Sequence, residues 1–171
     1  ALAPFQKLQS VCEQAGMSIA CHDEAQGNPV EEHVLSGVQA FKSHEADCVV
    51  MMGGGCALDV GKAIALMSSH PGNLFDYEDE MEGARPIDQK IPYMLALPTT
   101  AGTGSEVGGS SVISDKKSKR KVIIWGNPLI PNLVVADPEL TVGLPPHVTA
   151  ATGIDALTHN IEAYLAKNYQ D

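Results

Sequence analysis

The chain has 171 residues, of which 44% are hydrophobic and 19% are charged, and its formal net charge at pH 7 is -10. This composition is typical of a protein that folds around an apolar core. The acidic balance and the lack of a basic stripe argue against a nucleic-acid-binding surface. No apolar run approaches the roughly 20 residues that a membrane-spanning helix needs, so we expect no membrane partner either.

The cysteines and the ends of the chain suggest its setting. Cys12, Cys21, Cys48 and Cys56 include no C-x-x-C pair, which favours reduced thiols and a cytoplasmic protein. The sequence lacks an initiator Met, opens within a predicted helix and stops just past another one. We therefore expect a fragment of a longer protein.

Apolar periodicity predicts that helices and strands alternate along the first hundred residues. The best-marked helix has Asn28 as its N-cap, Pro29 at its first position and Glu31 three residues after the cap. The next two strands are continuous apolar runs, which are typical of strands buried on both faces. The predicted order is helix 5–16, strand 17–21, helix 28–44, strand 47–52, helix 57–69 and strand 92–97. This order favours a parallel sheet covered by helices.

The rest of the chain is less regular. Residues 70–91 contain Pro, Gly and clustered acids, and we expect a long surface excursion there. Residues 110–125 predict a β-hairpin that turns at residues 115–118, and residues 132–137 predict a further strand. From Pro145 onward the sequence becomes a long Ala-rich helical stretch.

This change of character predicts a domain boundary. Residues 1–144 would form an α/β domain, with a parallel sheet and a β-hairpin. Residues 145–171 would begin a helical domain. The predicted fold class is therefore α/β, followed by the start of an all-helical unit.

A glycine turn follows the predicted strand 47–52. Gly53, Gly54 and Gly55 let the backbone approach a ligand closely, and the next helix would direct its free N–H groups and positive dipole end at that ligand, which suits a phosphate. The turn is neither a G-x-G-x-x-G fingerprint nor a Walker A loop, since the spacing differs and Ala63 replaces the Ser or Thr that would bind magnesium. A tight turn that binds nothing explains this loop alone equally well.

A second loop, rich in hydroxyl groups, follows the strand 92–97. Its polar and small residues are Thr99, Thr100, Gly102, Thr103, Gly104 and Ser105. Such a composition is common in any loop, but two loops at the carboxyl ends of parallel strands would form one crevice that suits an anion. Cys56, near the start of the helix after the glycine turn, would have a lowered pKa there.

The segment GIDALTHNIEAY, residues 153–164, predicts a helix with an unusual polar stripe. Asp155, His159 and Glu162 share one face, roughly opposite an apolar face. The stripe is flanked by small residues, which favours burial against protein or a cleft, where a carboxylate and an imidazole would have to bind each other or a metal ion. This pair suits Zn²⁺ or Fe²⁺, but a solvated helix face has the same spacing.

Three segments, GGGCALDVGKAIA, PTTAGTGSE and LPPHVTAATGIDALTHNIEAY, carry a family resemblance, and HPGNLFDYE and NLVVADPELT agree with it. In this order they resemble the iron-containing (group III) alcohol dehydrogenases, which share their fold with dehydroquinate synthase. The resemblance implies a Rossmann-like domain that binds NAD or NADP, an all-helical domain, and Fe²⁺ or Zn²⁺ between them. It implies an NAD(P)-linked alcohol dehydrogenase or aldehyde reductase, with hydride transfer between a metal-bound alkoxide and the nicotinamide.

The resemblance also assigns residues. Asp155 and His159 match the first two metal ligands, whereas the other two ligands of the family would lie beyond residue 171. The positions that match cofactor contacts are Gly54, Gly55, Cys56, Thr99, Thr100, Gly108, Ser110, Lys121, Leu140 and Gly143. Cys56 replaces the usual serine, and Gly108 and Ser110 also depart from the family pattern. No separate catalytic base is evident in this chain.

For the full-length protein the resemblance implies a small alcohol or aldehyde substrate and a homo-oligomer. With two metal ligands, we expect this chain alone to bind metal very weakly and to be inactive. A polyol, lactaldehyde or maleylacetate oxidoreductase of the same fold would carry the same motifs, because substrate-facing residues come mostly from the second domain. A non-catalytic nucleotide-binding module is the alternative from another class.

Overall fold

The structure is a computed structural model, and it describes residues 3–25, 27–79 and 81–167. Within these ranges the helices are α1 (Ala3–Gln14), α2 (Glu31–Ser43), α3 (Gly55–Ser69) and α4 (Pro146–Leu165). The strands are β1 (Cys48–Gly53), β2 (Tyr93–Pro98), β3 (Ser110–Asp115), β4 (Arg120–Trp125) and β5 (Leu133–Val134). The α/β class predicted from the sequence is confirmed.

The central sheet is parallel and has the strand order β1-β2-β5. All six residues of β1 pair with β2, whereas β5 contributes two residues. This last strand is shorter than the predicted strand 132–137, because Pro138 has no backbone N–H and the Asp137 side chain accepts a hydrogen bond from Glu139 N–H at 2.9 Å. The chain therefore leaves the sheet for a short 3-10 helix, Pro138–Thr141.

Helix α3 is the centre of the core. Leu58 and Ala65 pack in a cluster on the sheet, with side chains from β1 and β2. Val60 and Ile64 belong to a second buried cluster, which includes residues of α2 and of the hairpin. Gly61 has no side chain where α3 meets β1, and a Cβ there would lie 2.3 Å from Met51 Cγ. The helix is therefore apolar on most sides, as expected for a helix covered by two layers.

The predicted hairpin is confirmed. Strands β3 and β4 pair antiparallel, from Ser110 opposite Trp125 to Asp115 opposite Arg120. The Asp115 carboxylate accepts hydrogen bonds from Lys117 N–H at 2.9 Å and from Ser118 N–H at 3.2 Å. These bonds form an Asx-type turn, which explains why an aspartate begins the loop.

Two early predictions are wrong. Helix α2 begins at Glu31, and its N-cap is Val30 rather than Asn28. The Pro29 carbonyl accepts a hydrogen bond from Ser114 N–H at 2.7 Å, and Val30 forms a bridge with Ser114, so pairing with the hairpin keeps this segment extended. Residues 17–21 form no strand, since no neighbouring strand pairs with them in the described part of the chain.

The segment 70–91 is more than a surface excursion, because His70, Leu74 and Tyr77 are buried. The His70 ring donates from Nδ1 to the Leu66 carbonyl at 3.2 Å and accepts from Gln89 N–H at Nε2, at 3.1 Å. The His70 ring also packs edge-on against Tyr77, with ring centroids 5.8 Å apart. This histidine therefore fastens both ends of the segment to the core.

Helix α4 begins after Pro145, as predicted, and runs for 20 residues without burying any of them. Its apolar face is open, with Ile154 63% and Leu157 54% exposed. Among the helices that the structure describes, none combines the length and the apolar character required to cross a membrane.

Candidate functional site

The glycine turn joins β1 to α3. Gly54 is the N-cap of α3, and the helix begins at Gly55, two residues earlier than predicted. A Cβ at Gly54 would lie 3.2 Å from Thr100 Oγ1, and one at Gly55 would lie 2.8 Å from Thr103 Cγ2. The absence of both side chains therefore lets the start of α3 touch the loop after β2 directly.

Residues 99–109, called here the hydroxyl loop, lie between the glycine turn and α4. Thr99 N–H donates to the Gly53 carbonyl at 2.9 Å, which continues the pairing of β1 with β2 by one step. On the other side, a Cβ at Gly102 would lie 2.8 Å from the Thr152 carbonyl oxygen of α4. The hydroxyl loop thus contacts both the start of α3 and the helix that carries Asp155.

Lys62 lies under this loop and is fully buried. Its Nζ donates hydrogen bonds to three carbonyl oxygens, those of Ser105, Gly108 and Ser110, and approaches Ser105 Oγ at 3.2 Å. Burial lowers the pKa of this lysine, and the nearby Asp59 opposes that shift. The ammonium group therefore sits in a cage of oxygen atoms that belong mostly to the hydroxyl loop.

Asp59, one turn earlier in α3, also binds the hydroxyl loop and the start of the hairpin. Its carboxylate accepts hydrogen bonds from Ser105 Oγ at 2.6 Å and from Val112 N–H at 3.2 Å. Its backbone carbonyl accepts from Ser111 Oγ at 2.7 Å. Burial raises the pKa of Asp59, although the hydrogen bonds from Ser105 and Val112 to its carboxylate, and the charge of Lys62, act in the opposite direction.

A cleft of about 250 Å³ opens beside the start of α3. It brings together residues from the first turns of α3, the hydroxyl loop, the hairpin and the segment before α2: Gly27, Asn28, Pro29, Cys56, Asp59, Thr103, Val112, Ser114 and Lys121. Two of them, Cys56 and Lys121, were predicted as cofactor contacts. The exposed Lys121 lies opposite Ser114 in the hairpin register, so it supplies a positive charge at the edge of the cleft.

The other predicted cofactor residues occupy three places. Gly54, Gly55, Thr99 and Thr100 lie where the glycine turn meets the hydroxyl loop. The carbonyl groups of Gly108 and Ser110 bind Lys62, as described above. Leu140 belongs to the 3-10 helix Pro138–Thr141 and Gly143 follows it, and neither residue lines the cleft.

The predicted lowering of the Cys56 pKa is wrong. Burial raises the pKa of this thiol, and the nearby Asp59 carboxylate raises it further. Desolvation and a like charge thus outweigh the effect of the helix N-terminus. The Cys56 side chain is therefore a thiol at neutral pH, not a thiolate.

Asp155 and His159 lie one turn apart on α4. His159 Nε2 is 3.7 Å from Asp155 Oδ1, and the side chains are 55% and 42% exposed respectively. The stripe is thus half-open rather than buried as predicted. Two donor atoms at this separation can both lie about 2.1 Å from one ion, so the pair fits half of a metal site. In the described residues no group of three metal-ligating side chains occurs.

Comparison with known proteins shows the family. The model of the family described as iron-containing alcohol dehydrogenase matches residues 1–138. This range covers the glycine turn, the hydroxyl loop and the hairpin, and so includes most of the site described above. The chain belongs to the iron-containing alcohol dehydrogenase family, as its motifs predicted.

Among curated proteins, the chain is similar to a choline dehydrogenase from Bacillus subtilis, with 40% identity over 90% of this chain and 38% of that protein. It is similar to an NAD-dependent methanol dehydrogenase from Bacillus methanolicus, with 39% identity over 90% of this chain and 39% of the relative. The chain thus spans about two fifths of the length of these relatives.

Solved structures share the fold. A 1,3-propanediol oxidoreductase superposes with a TM-score of 0.91 and 34% identity, over 99% of this chain and 43% of that one. A sulfoacetaldehyde reductase from Bifidobacterium kashiwanohense, solved with NAD⁺, superposes with a TM-score of 0.83 and 31% identity, over 98% of this chain and 44% of that one.

Asp59 and Lys62 were not predicted from the sequence. These two charged residues lie three positions apart in the otherwise apolar run ALDVGKAIALM, most of which is buried in α3. A charged pair inside such a run is a usable signal, because an unpaired charge in a buried helix is too costly to persist.

Proposed function

We propose that this chain forms the cofactor-binding part of an NAD(P)-linked, metal-dependent alcohol dehydrogenase, together with the first helix of its metal-binding unit. The observation that carries the proposal is the position of the hydroxyl loop, which contacts the glycine turn through Thr100 and Thr103 and α4 through Gly102. A cofactor bound at the glycine turn would then be close to the helix with Asp155 and His159.

The similar proteins support a primary alcohol as the substrate class. Choline, methanol, 1,3-propanediol and 4-hydroxybutyrate, after which four relatives are named, each carry a primary hydroxyl group. The reaction we propose is the reversible oxidation of a small primary alcohol to its aldehyde by hydride transfer to the nicotinamide. A polyol, lactaldehyde or maleylacetate oxidoreductase would use the same cofactor site.

In this proposal the backbone N–H groups at the start of α3, beside Gly54 and Gly55, bind the cofactor pyrophosphate. Thr99, Thr100 and Cys56 border that position. Lys121 supplies a positive charge and a donor to the nicotinamide ribose from the hairpin side. Leu140 and Gly143 are proposed for the nicotinamide end, and Gly108 and Ser110 are proposed as further cofactor contacts. The relatives named for NAD and NAD⁺ support NAD as the cofactor, with NADP as the alternative.

Asp155 and His159 would hold the metal through one oxygen and one nitrogen atom, which suits Fe²⁺ and also Zn²⁺. When bound, such an ion supplies Lewis-acid stabilisation of negative charge on the alcohol oxygen. The half-exposed carboxylate and imidazole keep one side open to further ligands. We place the division between the two units at residues 1–144 and 145–171.

The working enzyme would need the segments that this chain does not match in its relatives. We define the completed enzyme as these 171 residues joined to the unmatched segments of the 1,3-propanediol oxidoreductase. We propose that it forms a homo-oligomer. The four unpaired cysteines of the described chain favour a reducing, cytoplasmic setting.

The test uses the completed enzyme and its His159→Ala variant, with His147→Ala, an exposed histidine of the same helix, as the matched control. We expect about one Fe or Zn per chain and alcohol-dependent reduction of NAD⁺ in the unsubstituted enzyme and the control, and loss of both in His159→Ala. If His159→Ala keeps its metal and its activity, the pair on α4 is structural and the metal proposal fails.

One alternative function is also compatible with the described residues. Because the described residues supply two metal ligands on α4 and no group of three, a module that binds a nucleotide without redox chemistry would show the same cleft. If the completed enzyme bound NADH but held no metal and showed no turnover, that result would support the non-redox function instead.

A further inference from the structure

Lys62 has no part in the proposed chemistry, yet it is the largest of the fully buried side chains in the described chain. A buried ammonium group is costly unless its hydrogen bonds are satisfied. A methionine or leucine would fill the same space in this apolar helix without that cost. The charge at position 62 therefore needs an explanation beyond packing.

The hydrogen bonds of Lys62 all go to one short stretch. The ammonium group binds the carbonyl oxygens of Ser105, Gly108 and Ser110 and the Ser105 hydroxyl. Three of these acceptors are backbone carbonyl groups, which are the same in every residue type. The lysine therefore fixes the backbone path of residues 105–110 rather than one particular side-chain contact. Asp59 binds the same serine hydroxyl and the next strand, at Val112 N–H.

The stretch fixed in this way continues into the contacts of the site. Thr103, two residues before Ser105, touches Gly55 at the start of α3 and lines the cleft. Gly102 touches Thr152 of α4. Lys62 itself does not line the cleft. Its ammonium group is thus placed to shape the hydroxyl loop from the α3 side, through backbone carbonyl groups and outside the cleft lining.

We propose that Lys62 is a positioning residue for the cofactor. It holds the hydroxyl loop in the shape that fits the pyrophosphate at the glycine turn and the nicotinamide near α4, without touching either. This role rests on the proposed function, because it assumes that the glycine turn binds the cofactor. It predicts that loss of the ammonium group weakens cofactor binding in a protein that is still folded.

The experiment measures NADH affinity by fluorescence titration, and kcat and KM for NAD⁺, in the completed enzyme and its Lys62→Met variant. The matched control is Lys117→Met, an exposed lysine in the hairpin turn. We expect the NADH Kd and the KM for NAD⁺ to rise about tenfold in Lys62→Met, the size of effect that residues behind a site produce, with kcat changed by less than about threefold. The control should match the unsubstituted enzyme.

Affinity is measured for all variants at one temperature, about 20 °C below the lowest of their thermal midpoints, so that a purely structural role would lower Tm without changing Kd. If Lys62→Met is folded and binds NADH as the unsubstituted enzyme does, the positioning role is wrong although the proposed function stands. If the unsubstituted enzyme binds no NADH, the proposed function fails and the positioning role fails with it.

A second pair of variants decides the matter if Lys62→Met does not fold. Ser105→Ala removes the one side-chain hydroxyl in the cage and leaves the lysine in place, whereas Ser105→Thr keeps a hydroxyl. We expect Ser105→Ala to raise the NADH Kd about threefold and Ser105→Thr to restore it. Equal affinities in both variants and in the unsubstituted enzyme would overturn the proposal.

Discussion

At the residue scale, Gly61 and Gly153 test the packing of α3. A Cβ at Gly61 would lie 2.3 Å from Met51 Cγ, whereas one at Gly153 in α4 would meet nothing within 4 Å. We expect Gly61→Ala to lower the free energy of unfolding by about 1–3 kcal/mol through overpacking. The matched control, Gly153→Ala, should raise it by about 0.5–1 kcal/mol because alanine favours the helix. Urea unfolding of both variants measures the difference, and equal midpoints would contradict the packing described for α3.

The carboxyl group of Asp59 gives a prediction for pH. Its folded-state pKa is raised, first by burial, from the ordinary value of 3.8, so the folded protein binds the proton more tightly than the unfolded chain does. The contribution of this carboxyl group to the free energy of unfolding is fully present below pH 3.8, its ordinary pKa. This contribution is lost as the pH rises through the raised pKa. The stability of the wild type relative to Asp59→Asn should therefore decrease as the pH rises through the raised pKa of Asp59.

Asp115 is the control for that experiment, because its pKa shift has the opposite sign. The side-chain hydrogen bond with Ser118 and those to the turn backbone lower its pKa. Its contribution is therefore present above its ordinary pKa and is lost as the pH falls through the lowered value. If Asp59→Asn and Asp115→Asn showed the same pH trend in thermal unfolding, the burial of Asp59 would not determine its titration.

At the element scale, the segment 70–91 depends on His70. This ring is the acceptor for Gln89 N–H and packs on Tyr77, so His70→Ala leaves a backbone donor without its partner. We expect this variant to lose about 1–3 kcal/mol of stability and residues 81–91 to be cleaved faster in limited proteolysis. His147→Ala should be cleaved like the wild type, and an unchanged cleavage rate in His70→Ala would show that the segment is held elsewhere.

The elements also show what the sequence alone can predict. The positions of strands β1 and β2, the hairpin turn at Asp115 and the helix after Pro145 follow from local signals, namely apolar runs, an Asx turn and a proline at a helix start. The predicted burial of both strand faces is wrong for β1, in which Val50 is 43% exposed. The start of α2 does not follow from local signals, because Ser114, far along the chain, binds Pro29 and overrides the cap signal at Asn28. Local patterns carry no information about which distant strand will pair.

The candidate site, too, has parts that the sequence predicts and parts that it does not. Motifs predicted the glycine turn and the hydroxyl loop, since glycines and hydroxyl groups at strand ends are local features. They did not predict that Asp59 and Lys62 join α3 to the hydroxyl loop, because this contact depends on the backbone path of residues 105–110. The half-open position of Asp155 likewise depends on what surrounds α4, which its own periodicity does not describe.

At the scale of the whole molecule, the 171-residue chain and the completed enzyme should differ sharply. The described chain offers two metal donors on an exposed helix, and a site with two ligands binds divalent ions weakly. We expect the 171-residue chain to retain far less than one metal ion per chain after gel filtration and to show no alcohol-dependent NAD⁺ reduction. Metal analysis and an absorbance assay at the NADH band test this. Turnover by the 171-residue chain at the rate of the completed enzyme would disprove the need for further ligands.

The parallel order β1-β2-β5 has a consequence for how the chain folds during synthesis. Cys48 pairs with Tyr93, about 45 residues later, whereas the hairpin partners are neighbours in sequence. At about 5–20 residues per second on the ribosome, β1 leaves the exit tunnel roughly two to nine seconds before the strand that it pairs with. Throughout that interval β1 lacks β2, the strand with which it pairs in the described part of the chain, so the nascent chain presents an apolar segment to chaperones long before it presents a site to a cofactor.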